Sequence, residues 1–109
     1  MPETYQVVWT DLAEQDVEEI IDFIADDRPQ SAWHIFLKIR QGADSLQRSP
    51  LRCRVVPELR WRGILIYREL LVRPYRVIFK IATNRILILG VLDGRRSLDD
   101  IIFERILHS

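Results

Sequence analysis

Along the chain, the spacing of apolar positions changes from strand-like to helical and back to strand-like. The opening stretch YQVVW (5–9) alternates and is rich in β-branched and aromatic residues, which predicts a first strand. Ala13, Val17, Ile20, Ile21 and Ile24 then recur at helical spacing and form one apolar stripe. Thr10 or Asp11 is placed to cap that helix, and Glu14 closes a capping box if Asp11 is the cap. Pro29 stops the helix, because proline disfavours helical geometry in the residue before it, and it also suits the first turn of a second helix. The second helix runs to about Gln47 with Ala32, Phe36, Ile39, Ala43 and Leu46 on its buried side. Two such helices across a tight turn make an antiparallel pair.

After RSPLR the period becomes that of strands. CRVVPEL contains Pro57, so it is at best an edge strand. ILIYRELLV (64–72) reads as a strand, and segments 75–81 and 86–92 pair around ATNR. Ser97 caps a last helix, with Asp99 and Asp100 in its first turn and Ile101, Ile102, Ile106 and Leu107 as its apolar residues. The order β-α-α-β-β-β-β-α predicts the α+β class. A single domain, 1–109, places an N-terminal helical hairpin on a mostly antiparallel sheet and adds a C-terminal helix.

With the hairpin turn centred on Thr83 and Asn84, Arg76 falls opposite Val91, Ile78 opposite Leu89 and Lys80 opposite Leu87. Tyr75, Val77, Phe79 and Ile81 then share an apolar face with Ile86, Ile88 and Leu92, and that face must pack on the helices. The other face carries Arg76 at its rim, with Arg95 and Arg96 emerging just beyond. Arg60 and Arg62 flank Trp61 in a neighbouring loop. Each arginine alone suits an ion pair with the acidic helix or a solvated surface. As a group they suit a bound anion, because crowded like charges otherwise repel. Interleaved Arg and Trp fit stacked bases and phosphates, and equally an acidic protein surface.

Composition sharpens this picture in two ways. The formal net charge of +0 hides a segregation: nine acids and no Lys or Arg precede Arg28, whereas all 16 basic residues follow from there with seven acids. All but Lys38 and Lys80 of the basic residues are Arg, the better residue for forked contacts to phosphate or carboxylate; codon bias would give the same skew. The single Cys53 forms no internal disulfide, and with no apolar run near the roughly 20 residues of a membrane span and no signal-peptide pattern in MPETYQ, a cytoplasmic protein is expected. His34 and His108 lack ligand spacing, four scattered glycines make no phosphate loop, and Cys53 has no evident base; neither a metal nor a cofactor is expected.

VVPELRWRGILIYRELLVRPYRVIFKI followed by RILILGVLDGRRSLDDII resembles the RelE/ParE superfamily of bacterial toxins from type II toxin–antitoxin systems. Its marks are Pro57-Glu58, Arg68-Glu69-Leu70, Pro74-Tyr75-Arg76 and Gly94-Arg95-Arg96, together with the helical hairpin behind a first strand. The resemblance implies one of two activities. RelE-like members cut mRNA on the ribosome, and ParE-like members poison DNA gyrase. Arg76 and Arg96 fall where the nucleases keep two catalytic arginines. Tyr67 and Glu69 stand where those enzymes hold lysines, and Ile102 where they hold a tyrosine. An acid near a scissile phosphate repels the substrate, which counts against an enzyme. RELLVRPYRVIF and LDGRR are closer to the ParE pattern, although many ParE-like proteins carry His at the place of Asp93.

What the resemblance implies is therefore a gyrase-inhibiting toxin silenced by a cognate antitoxin in a hetero-oligomer. Arg60, Arg62, Arg76, Arg95 and Arg96 would meet the target. The alternatives are a ribosome-dependent mRNA endonuclease using Arg76 and Arg96, and a non-toxic module that only binds antitoxin. An antitoxin in this superfamily commonly packs on the helical hairpin. Trp33, Ile35 and Leu37 lie outside the expected core stripe and are candidates for that contact, or else for a wider buried face.

Overall fold

The computed structural model describes residues 4–95 and Asp99. Strand β1 (Gln6–Trp9) leads into helix α1 (Asp11–Ala25), and α2 (Pro29–Asp44) returns antiparallel to it before a 3-10 turn at Ser45–Gln47. Thr10 is the cap of α1. Its hydroxyl accepts from the Ala13 amide at 3.2 Å and donates to the Ile88 carbonyl at 2.7 Å, fastening the helix start to the sheet. With Thr10 rather than Asp11 as the cap, Glu14 is one residue too far on to close a capping box, and its carboxylate meets the Arg40 guanidinium, with one contact at 3.0 Å. Arg40 also lies 4.2 Å over the Trp9 ring, so a single side chain ties α1, α2 and β1.

The chain then builds β2 (Arg54–Val55), a one-turn helix α3 (Pro57–Arg60), β3 (Tyr67–Val72), β4 (Tyr75–Ala82) and β5 (Arg85–Asp93). The sheet order is β1-β5-β4-β3-β2, with β1 parallel to β5 and the other pairs antiparallel. This is the expected α+β arrangement, with two differences in the middle. Pro57 starts a helical turn where only a broken edge strand was expected, since proline at the first helical position loses no hydrogen bond. Strand β3 begins at Tyr67 rather than at Ile64, because the Ile64 amide closes back on the Leu59 carbonyl at 2.9 Å instead of joining a ladder. The expected last helix lies outside the described residues.

The β4–β5 turn sits at Thr83 and Asn84 as expected, with Ala82 facing Arg85 and Lys80 facing Leu87. Beyond that the register departs from simple alternation. Phe79 faces Ile88 but Ile78 faces Gly90, so Leu89 is an extra residue on β5. One inserted residue exchanges the faces of all that follow. Arg76 consequently lies opposite Leu92, not Val91, and Val91 rather than Leu92 joins Tyr75, Val77, Phe79, Ile86 and Ile88 in the main core under the helices. Val56, Leu59, Tyr67 and Ile78 form a smaller buried cluster, joined by Ile64, Leu89 and Leu92.

The bulge also explains an acid in the core. Asp16 of α1 is 6% exposed, and its carboxylate accepts from the Val91 amide at 2.9 Å. Strand β1 pairs with β5 only as far as Ile88, so the amide three residues on needs another partner, which the helix supplies.

Candidate functional site

Three strands and one helical turn converge on Arg76. Because Glu69 faces Ile78 and Arg54 faces Glu69 across the ladders, pleating sets Arg54, Glu69 and Arg76 on one side of the sheet. Glu69 is 1% exposed. Its Oε1 accepts from Arg76 Nε at 2.7 Å and its Oε2 from Arg54 Nε at 2.6 Å. Glu58, in the single turn of α3, meets Arg76 from above: NH1 donates to Oε2 at 2.7 Å and NH2 to Oε1 at 2.6 Å. The hydrogen bonds from Arg76 hold the Glu58 carboxyl below the usual carboxylate range against the opposing effect of burial. Burial works against charge on Arg76, but the bonds to Glu58 and Glu69 outweigh it and raise its pKa further.

An open cavity of about 390 Å³ lies beside this network, lined by Arg54, Leu71, Arg73, Pro74, Tyr75, Arg76, Gly94 and Arg95. Gly94 shapes it. Its amide donates to the Pro74 carbonyl at 2.8 Å, and a Cβ there would stand 2.8 Å from that same oxygen, so only glycine permits the approach. Arg95 folds back on Asp93, with Nε and NH2 donating to the two carboxylate oxygens at 3.0 and 2.7 Å, and these contacts raise its pKa. Burial, reinforced by Asp93, pushes the Tyr75 phenol up.

The structure thus divides the arginines expected to act together. Arg76 and Arg95 line one cavity, but Arg76 is 9% exposed and engaged with two carboxylates rather than standing at an open rim. Arg60 and Arg62 do not line it; they belong to the end of α3 and its loop, where Arg62 NH1 lies 3.9 Å from Asp99. Arg96 lies outside the described residues. Arg54 and Arg73 line the cavity without having been anticipated, and the pairing of Glu58 and Glu69 with Arg76 was missed. The fold is what turns Glu69 inward, and an acid at an inward position of a strand demands a cationic partner.

On the helical hairpin, Trp33 is 59% exposed and stacks on Phe36 with ring centroids 5.7 Å apart. Of the two readings for this trio, Trp33 follows the exposed one and Ile35 the wider buried face, packing against the main core, while Leu37 is half-buried. Helices α1 and α2 line an open groove of about 240 Å³, with Val17, Ile21 and Phe36 as its apolar part, Glu14, Glu18 and Asp22 along α1, and Arg40 from α2. Among the described residues no helix is long and apolar enough to cross a membrane, and no group of three His, Cys, Asp or Glu is placed to hold a metal ion.

Residues 7–98 match the family model described as the ParE toxin of the type II toxin–antitoxin system parDE. The chain belongs to the ParE toxin family. Solved structures share the fold, among them two from toxin–antitoxin systems. A chain of the chromosomal ParDE toxin–antitoxin system of P. aeruginosa aligns with a TM-score of 0.66 at 23% identity, over 83% of this chain and 96% of that one. A chain of the RelBE2 toxin–antitoxin complex from Mycobacterium tuberculosis aligns with a TM-score of 0.62 at 21% identity, over 85% and 94%. A sequence search of curated proteins gave no match. Three of the four motifs that carry the resemblance, around Glu58, Glu69 and Arg76, meet in one ion network in this toxin.

Proposed function

We propose that this toxin acts in the cytoplasm by binding and inhibiting DNA gyrase, and that a cognate antitoxin neutralises it by docking on the α1–α2 hairpin. The observation that carries the gyrase reading over mRNA cleavage is the state of Arg76. A nuclease needs that guanidinium for the phosphate, yet here two carboxylates occupy it, one of them on the fully buried Glu69 side chain. Displacing them with a phosphodiester would bring three anionic groups together and leave the buried Glu69 with Arg54 as its one remaining cation among the described residues. Tyr67, at the other position where the nucleases hold a lysine, is buried in the smaller apolar cluster. Neither residue is available for proton transfer to a ribose.

The helical groove supports antitoxin docking by its composition: an apolar floor, the Glu18 and Asp22 carboxylates and the nearby exposed Trp33 suit an amphipathic segment with basic flanks, while Glu14 is taken up by Arg40. The deciding test is a supercoiling assay with purified gyrase, relaxed plasmid and ATP. Loss of supercoiling with accumulation of linear DNA, both reversed by antitoxin, is expected. Unimpaired gyrase together with antitoxin-sensitive cleavage of mRNA on programmed ribosomes would transfer the protein to the nuclease branch.

A further inference from the structure

We infer that the Arg60–Ile66 segment is the surface that seats on the toxin's target, and that it meets protein there: an apolar pocket for Trp61 rimmed by carboxylates. This deepens the preceding reading and rests on it for the target's identity.

Three large apolar side chains crowd into these seven residues and stay in water: Trp61 is 91% exposed, Leu65 59% and Ile66 63%. The segment is nonetheless held in shape. The Arg62 amide donates to Leu59 at 3.0 Å, Gly63 to Arg60 at 2.9 Å and Ile64 to Leu59 at 2.9 Å, while Gly63 takes φ +79°, a value that glycine adopts freely. Leu59 and Ile64 anchor it in the smaller core cluster. The Glu58–Arg76 fork fixes the helical turn from which it springs. A rigid surface loses little entropy on binding, so its contact energy is retained as affinity.

The side chains choose between the two classes of partner. Trp61 between two arginines would suit a stacked base, but Leu65 and Ile66 present aliphatic surface that neither stacks on a base nor contacts a phosphate. A tryptophan anchor, arginines at the rim and aliphatic neighbours are the composition of a protein–protein hot spot. Arg60 sets the sign of that rim, and Glu58 cannot cancel it because its oxygens are held by Arg76; Arg62 stands beside it with its NH1 3.9 Å from Asp99. The partner must therefore bring carboxylates around an apolar centre.

The test uses the full-length chain induced in cells, with growth arrest as a readout that needs no assumption about the target, beside the gyrase assay. Trp61→Ala and the pair Leu65→Ser, Ile66→Ser are compared with Phe23→Ser, an apolar residue on α1 whose 81% exposure lies within the range of theirs. Each variant is checked by its thermal melt and by complex formation with co-expressed antitoxin. Trp61→Ala is expected to raise the toxin level needed for half-arrest about 30-fold, as loss of a tryptophan anchor does, with Trp61→Phe in between and Phe23→Ser unchanged. If wild-type toxin spares gyrase in vitro while arrest still depends on Trp61, the gyrase reading falls and the contact surface stands. Undiminished arrest by folded Trp61→Ala, loss of antitoxin binding instead of arrest, or no arrest by the wild type overturns the inference. So does quenching of Trp61 fluorescence by single-stranded DNA or RNA oligonucleotides, with Trp61→Ala as the blank.

Discussion

Arg76 and Glu58 form a two-pronged ion pair, with NH1 and NH2 each on its own carboxylate oxygen at 2.7 and 2.6 Å, and this pair joins β4 to the helical turn α3. It turns a residue expected to face a target into one that holds the fold. Arg76→Ala is expected to cost about 3–5 kcal/mol, because the buried Glu69 would keep only Arg54 of its two cations and Glu58 would lose both bonds of its fork. Arg76→Lys should recover only part of this, since an ammonium cannot fork. Urea denaturation measures both. A loss of toxicity in Arg76→Ala is then read against its folded fraction, not taken as evidence of target contact.

The same pair sets an acid limit. Glu58 titrates below its unfolded value of about 4.5, so its contribution is fully present above that pH and is lost as pH falls through the lower folded value. Stability measured from pH 6 downward should decline through the acidic carboxylate range. Glu58→Gln should be less stable at pH 6 and show a shallower decline. An unchanged slope in that variant would assign the acid loss to other carboxylates.

Asp16→Ala should destabilise by about 1–3 kcal/mol, because the buried Val91 amide loses its acceptor. Asp16→Asn keeps an acceptor oxygen and should lose much less. Hydrogen exchange at Val91 gives a local readout, with faster exchange expected in the alanine variant only.

Gly94→Ala places a methyl group against the Pro74 carbonyl and must push the two apart. A loss of about 1–3 kcal/mol is expected from this overpacking. Thermal melts of the pair Gly94→Ala and Gly63→Ala separate crowding from backbone conformation, since a Cβ at Gly63 meets nothing within 4 Å but is strained by φ +79°.

Turn chemistry gives an opposite sign at Thr83, which holds φ +58° at the β4–β5 turn. A β-branched residue is strained there. Thr83→Gly is expected to stabilise by up to about 1 kcal/mol, the relief being partly offset by glycine's greater freedom in the unfolded chain. Equal or lower stability on denaturation would remove this reading of the turn.

Much of the architecture was legible because it follows from local periodicity. The stripe from Ala13 to Ile24, the buried side from Ala32 to Leu46 and the hairpin turn at Thr83 and Asn84 each depend on residues close in sequence, and each stands in the structure. The errors arose where one residue changes the phase of many. Leu89 adds one position to β5, and the faces of Val91 and Leu92 exchange with it. Glu14 would close a capping box only with Asp11 as the cap; with Thr10 in that place it meets Arg40, twenty-six positions away.

The sequence by itself determined the α+β class, the helical hairpin, the apolar face of the sheet and membership of the toxin family, since these rest on the spacing and identity of neighbouring residues. Only the tertiary structure decided which charges are free. Glu58, Glu69 and Arg76 are separated by 11 and 7 positions, and nothing in that spacing marks them as partners. Strand order, the register of Glu69 with Ile78 and the helical turn begun at Pro57 bring them together. Once they are buried in one place, the cost of an unpaired charge in low dielectric leaves the ion network as the stable arrangement.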